Sequence, residues 1–223
     1  MDNFPPRPAA GTAPPELTSV ADLIQQARSL ASGGTRRLLG ITGEPGAGKS
    51  TVAAQLVEAL GPKTAVLVPM DGFHLANSVL RSLGRHARKG APDTFDDGGY
   101  AALLQRLRFQ SEEEPVIFAP DFRRDLEEPI GSAISIHHTV PLVVTEGNYL
   151  LLPNSHWPRA RAAVDEVVYL AVDDAVRQGR LIRRHEQFGK SADDARAWAL
   201  GSDEANAQLI RRHMGNANAI IRL

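Results

Sequence analysis

The fold class predicted for this chain of 223 residues is α/β, with a parallel sheet covered by helices on both faces. Two observations carry the prediction. Short, nearly continuous apolar runs recur as RRLLGIT (36–42), TAVLVPM (64–70), PLVVTEGNYLLL (141–152) and DEVVYLAVDD (165–174). Strands buried on both faces read this way, whereas strands with one wet face alternate. Between the first two runs lies TVAAQLVEAL (51–60), a helix ended by Gly61-Pro62. Strand, helix, strand in that order is the signature of a parallel sheet. The length corresponds to about 1.5 typical domains, so one domain with an insertion is expected.

The other elements follow in chain order. Residues 1–15 hold five of the 15 prolines and are expected to form a flexible tail, with 16–223 as a single domain. Leu17, Val20, Leu23, Ile24, Ala27 and Leu30 make a helical stripe, capped by Thr18 or Ser19 and ended by Gly33-Gly34. Segment 72–100 has little periodicity and reads as a short helix near 75–84 within a long functional loop. A helix begins at Tyr100. PVIFAPDF and SAISIHHTV flank the polar turn RRDLEEPIG as a small β-hairpin insertion. The third strand ends at Glu146 and the fourth at Asp173. An Arg-rich helix, AVRQGRLIRRHEQFG, precedes one or two helices over 193–214 and a closing strand, NAIIRL.

Composition narrows the function. Hydrophobic residues are 43% and charged residues 23%, the balance of a globular chain rather than a disordered or fibrous one. With no cysteine, disulfides and thiolate metal sites are excluded. A net charge of −1 argues against a general polyanion-binding surface, so nucleic acid is not an expected partner. No apolar run approaches the ~20 residues that span a bilayer. The N-terminal MDNFPPRPAAGTAPPEL lacks the apolar centre of a signal peptide. The expected setting is cytoplasmic, with no membrane partner.

Chemistry enters at Gly43-Glu44-Pro45-Gly46-Ala47-Gly48-Lys49-Ser50, a complete G-x-x-x-x-G-K-[ST] phosphate-binding loop that runs on into Thr51. Lysine is scarce here (Lys49, Lys63, Lys89 and Lys190 only), so chance seldom puts one at the required place. The glycines let the backbone fold into a nest of N–H donors, and the helix that follows points its positive end at the same anion. Lys49 reaches β- and γ-phosphate oxygens, and the Ser50 hydroxyl is placed to ligate Mg²⁺. A GTPase would add a base-reading N-K-x-D, which this chain lacks.

Two carboxylates stand at strand ends, where ligands of open α/β sheets lie. Asp71 either accepts a substrate hydroxyl's proton or caps the turn before Gly72. Glu146 either joins Ser50 around Mg²⁺ through water or holds a loop together. Arg177, Arg180 and Arg184 share a helix face, with Arg183 beside it; they either close over ATP or form a solvated face. His74 follows Asp71 by three residues, placed to bond the acceptor, to orient Asp71 or to make a structural hydrogen bond. Trp157 and Trp198 are expected to be packing residues.

Taken in order, GEPGAGKST, MDGFH, RKGAPDTFD, VVTEGNYLL and RLIRRH resemble the phosphoribulokinase, uridine kinase and bacterial pantothenate kinase group of P-loop kinases, over about residues 18–223. The resemblance implies a three-layer P-loop NTPase fold with a five-stranded parallel sheet in the order 2-3-1-4-5. It implies ATP, Mg²⁺ and transfer of the γ-phosphoryl group to a hydroxyl of a small pantothenate-, nucleoside- or sugar-like metabolite. By motif, Asp71 resembles the catalytic base, assisted by Lys49 and Arg184. Glu146 falls near the metal, and Arg180, Arg183 and Arg184 fall in the lid helix, Arg180 with the nucleotide. Candidates for the acceptor site are His74, Lys89, Asp93, Asp96, Arg123, Arg124 and Tyr149, and Asn216 and Asn218 fall where the group contacts adenine. PDFRRDLEEP departs from the tyrosine-containing segments of pantothenate and uridine kinases, so the acceptor need be neither. Dimers are common in such kinases, which makes a homodimer an expected partner. The competing reading is a P-loop regulator that binds nucleotide and hydrolyses it only slowly.

Overall fold

A computed structural model describes residues 13–223. The strands are β1 (Glu16–Leu17), β2 (Arg37–Gly43), β3 (Ala65–Pro69), β4 (Val116–Arg123), β5 (Glu128–His137), β6 (Leu142–Glu146), β7 (Glu166–Ala171) and β8 (Ala219–Arg222). The helices are α1 (Val20–Ala31), α2 (Lys49–Leu60), α3 (Asn77–Ser82), α4 (Asp97–Arg108), α5 (Trp157–Ala163), α6 (Asp174–Gln187), α7 (Ala192–Leu200) and α8 (Ser202–Arg211). One parallel sheet runs β3-β6-β2-β7-β8-β1, and β4 and β5 form a separate antiparallel hairpin. The sheet therefore has six strands rather than the five expected. The sixth, Glu16–Leu17, pairs with Ile220 and Ile221 and is too short to register as an apolar run. Of the expected tail, residues 1–12 lie outside the described residues, and the Pro15 carbonyl accepts a hydrogen bond from the Ile220 amide at 2.9 Å.

Alternating side chains of the central strands feed two cores, as the period of a strand requires. Leu38, Val143 and Val167 pack with α4, α5 and the hairpin. Leu39, Ile41, Val144 and Val168 pack with α1 and α2 on the other face. The hairpin also presses on the segment after β3: a Cβ on Gly72 would come within 2.4 Å of the Pro120 carbonyl oxygen. Only glycine permits that approach, and it carries Phe122 and Arg124 to the C-terminal edge of the sheet.

Side-chain caps explain four of the eight helix starts among the described residues. Ser19 caps α1 through the Asp22 amide, and Asp173 and Ser191 cap α6 and α7. Helix α4 starts at Asp97, three residues before the expected Tyr100, because the Asp96 carboxylate accepts from the Gly99 amide. Helix α2 opens on Gly48 at φ 95° and, like α3, α5 and α8, has no side-chain cap. Its first amides are left for an external acceptor. Among the described residues, no helix is long and apolar enough to cross a membrane.

Candidate active site

Four groups converge where β2, β3 and β6 end. Lys49 is buried and its Nζ donates to the Glu44 carbonyl at 3.0 Å. Burial pulls its proton affinity down to about 8, against the pull of Glu146 and Asp71. The Ser50 hydroxyl donates to Glu146 Oε1 at 3.0 Å. Burial, and then the charge of Asp71, push the Glu146 carboxyl above the usual carboxylate range. Asp71 is paired with Arg124, Oδ2 to Nη2, at 3.2 Å. Behind them, Thr145 donates to the Val68 carbonyl at 2.7 Å and accepts from Tyr100 at 2.6 Å, which ties β6 to β3 at the point where both acids emerge.

The phosphate loop rests on an ion network. The Glu44 carboxylate receives Arg211 at 2.6 and 3.0 Å, Arg177 at 3.0 Å and the Tyr169 hydroxyl at 3.1 Å. Arg177 also pairs with Asp174 and Glu204 and has no exposed surface. It is therefore a buried strut beneath the loop, which departs from both expected readings, an arginine closing over ATP and a solvated helix face. The side chain of Glu44 likewise turns under the loop, while its backbone carbonyl accepts from Lys49. At Gly46 (φ 81°) a Cβ would lie 2.5 Å from the Arg177 carbonyl oxygen, so glycine lets α6 lie directly on the loop. Arg180 donates to the Ala47 carbonyl at 3.3 Å, from the loop's flank.

A cavity of about 440 Å³ opens above these groups, within the range of small-molecule sites. Pro45, Gly46, Lys49, Ser50, Asp71, His74, Lys89, Glu146 and Arg184 line it. Gly43, Ala47, Gly48 and Thr51 do not. Four acceptor candidates, Asp93, Asp96, Arg123 and Tyr149, stand elsewhere. Asp93 pairs with Arg85 and Arg88. Arg123 pairs with Asp125 at 2.7 Å and is exposed, so its neighbour Arg124 is the one that enters. Tyr149 is buried against Phe95 and Trp157, its hydroxyl on the Gly90 carbonyl. Asp96 is the α4 cap, Arg183 is exposed, and the Asn218 amide oxygen accepts from Val167 and Arg161 at the sheet edge.

His74 Nδ1 meets the Asp71 carbonyl at 2.8 Å, and its ring packs at a tilt with centroids 4.0 Å from Phe95 and 4.8 Å from Phe122. Burial lowers its proton affinity. The sequence reading missed the lid side of the cavity, where Phe188, Lys190, Trp198, Asp203 and Asn206 enter from the end of α6 and from α7 and α8. Trp198 is thus a wall of the cavity rather than a core residue, with Lys190 Nζ 4.1 Å from its ring centroid.

Among the described residues, no cluster of three or more histidines and carboxylates could cage a metal. The Ser50–Glu146 pair suits Mg²⁺ nevertheless, because that ion takes oxygen ligands, keeps several waters and needs only one or two carboxylates.

Comparison with known proteins gives the same picture. The phosphoribulokinase/uridine kinase family model matches residues 38–223. A candidate uridine kinase of Schizosaccharomyces pombe is 31% identical over 217 residues, 93% of this chain and 92% of its own length. The ATP-dependent kinase-like protein notR' of Aspergillus versicolor is 35% identical over 148 residues, 63% of this chain and 86% of its own. The crystal structure of a candidate fructose transport system kinase from Silicibacter sp. TM1040 superposes with a TM-score of 0.81 at 34% identity, over 92% of this chain and 99% of that one. These likenesses and the loop geometry describe an ATP-dependent small-molecule phosphotransferase with an alcohol acceptor. The chain belongs to the phosphoribulokinase/uridine kinase family.

Proposed function

We propose that the protein transfers the γ-phosphoryl group of ATP to a hydroxyl of a small sugar- or nucleoside-like metabolite. The carrying observation is that Lys49, Ser50, Glu146 and Asp71 face one cavity. Lys49, Arg184 and the uncapped start of α2 hold the phosphates. Asp71 takes the proton of the acceptor hydroxyl as its oxygen bonds to the γ-phosphorus; the bond to the ADP oxygen breaks with its electron pair. Ser50 and Glu146 would hold Mg²⁺, which supplies charge neutralisation on the phosphate oxygens. Catalysis is then mainly positioning and electrostatics. The names of the similar proteins, a uridine kinase and a fructose transport system kinase, support an acceptor with sugar hydroxyls.

ADP release measured across sugars, nucleosides, pantothenate and small hydroxy acids tests this reading. Turnover should depend on the acceptor. Slow hydrolysis indifferent to every acceptor would point instead to a nucleotide-binding regulator.

A further inference from the structure

On the wall of the same cavity, two more cations stand against one ring. Lys89 Nζ lies 5.0 Å and Arg124 Cζ 6.0 Å from the centroid of Phe122. Lys89 is held in place by its neighbour: the Gly90 amide donates to buried Thr94 at 3.0 Å, and the Gly90 carbonyl accepts from Tyr149. Its ammonium group meets only uncharged acceptors, the Asn77 side-chain oxygen at 2.9 Å and the Glu127 backbone carbonyl. Among the described residues no carboxylate lies within ion-pair distance of it. Arg124 has one ion pair, with Asp71. A fixed ammonium with no carboxylate in direct contact, only the more distant charges of Glu127 and Glu128 acting on it, beside an arginine whose counter-ion is the proposed base, is the arrangement expected of an anion subsite.

Resting on the kinase reading above, we propose that the acceptor carries an anionic group, phosphate or carboxylate, near its reacting hydroxyl, and that Lys89 and Arg124 bind it. The same contact acts on the base. An anion on Arg124 competes with Asp71 for the guanidinium, so the Asp71 carboxylate is released toward the hydroxyl proton when a charged acceptor arrives. A neutral acceptor leaves Asp71 tied to Arg124.

The test uses the full chain saturated with Mg²⁺ and the non-hydrolysable analogue AMP-PNP. Inorganic phosphate or acetate is then titrated, with calorimetric affinity and melting temperature as readouts. At least one anion should bind the wild type, at least tenfold more weakly to Lys89→Met and to Arg124→Met, and unchanged to Lys63→Met, a change at an exposed lysine. Lys89→Arg should restore binding. Which anion binds better distinguishes a phosphorylated from a carboxylated acceptor. Failure of both anions to bind the nucleotide-loaded chain overturns this proposal alone. So does equal binding by Lys89→Met or, should that variant not fold, by Arg124→Met. Failure of AMP-PNP itself to bind overturns the kinase reading and this proposal with it. In turnover, acceptors paired by charge (fructose with fructose 6-phosphate, uridine with uridine monophosphate, glycerol with glycerate) should favour the anionic member of a pair. Faster turnover of the neutral members would overturn it.

Discussion

Beneath the phosphate loop and above it, the same charge types are arranged in opposite ways. Below, Arg177 and Arg211 are matched by Glu44, Asp174 and Glu204. Those partners hold both guanidiniums above their ordinary proton affinity, in Arg177 against the opposing effect of burial. Above, Lys49, Lys89 and Arg184 have no carboxylate within ion-pair distance among the described residues, and burial lowers the proton affinity of all three. A buried cation with matched carboxylates is scaffolding, because removing either partner strands the other. A partly buried cation without them is held at a cost in the empty protein and becomes favourable when a ligand brings the missing negative charge.

Substitutions can break that contrast. The largest effect is expected for Asp71→Asn, which should lower kcat on the order of 10³-fold while AMP-PNP still raises the melting temperature as in the wild type. Retained turnover would remove Asp71 as base. Lys49→Ala should cost on the order of 10²- to 10³-fold in kcat/KM for ATP, and unchanged kinetics would be incompatible with its phosphate role. Arg177→Met belongs to the other class: it should lower unfolding free energy by about 3 kcal/mol in urea titrations. Loss of activity with no loss of stability there would dissolve the distinction. Arg184→Ala should do the reverse, slowing transfer by roughly 10²-fold with stability changed by less than about 0.5 kcal/mol.

The smallest effect concerns pH. His74 sits below the ordinary histidine value of 6.5 because burial disfavours its imidazolium, with Lys89 and Arg124 adding to this and Asp71 opposing it. The unfolded chain therefore takes up the proton at a higher pH than the folded one. Stability attributable to this site is intact above about pH 6.5 and falls as pH drops toward the lower folded value. Urea unfolding at pH 7.5 and 5.5 should show a smaller acid loss for His74→Gln than for the wild type. Identical losses would mean that His74 does not carry it.

Legibility in the sequence followed the range of the interactions. The central strands were readable because burial on both faces leaves an uninterrupted apolar run, as in LVVTE, buried throughout. The phosphate loop was readable because its chemistry lies within eight consecutive residues. Position 124 rather than 123, and 148 rather than 149, could not be chosen in advance, since adjacent side chains point different ways and a one-residue step decides between cavity and core or solvent. Arg177 looked like Arg184 because helical spacing puts both on one face. Its partners Glu44 and Glu204 are far away in the chain, as is the Arg211 that shares Glu44, 167 positions along. The two-residue sixth strand is recognisable only by its pairing with β8.

Local chemistry by itself determined that this chain carries a phosphate-loop geometry: a glycine-rich turn, a lysine and a helix start are set by the order of the residues. Two acids at strand ends were set in the same way, since the sheet's direction sends every strand's C-terminus to one edge. Only the tertiary structure decided which cations are compensated and which are left open. That depends on carboxylates brought from distant segments, and electrostatic pairing within a few ångströms is a property of the folded arrangement, not of neighbourhood along the chain.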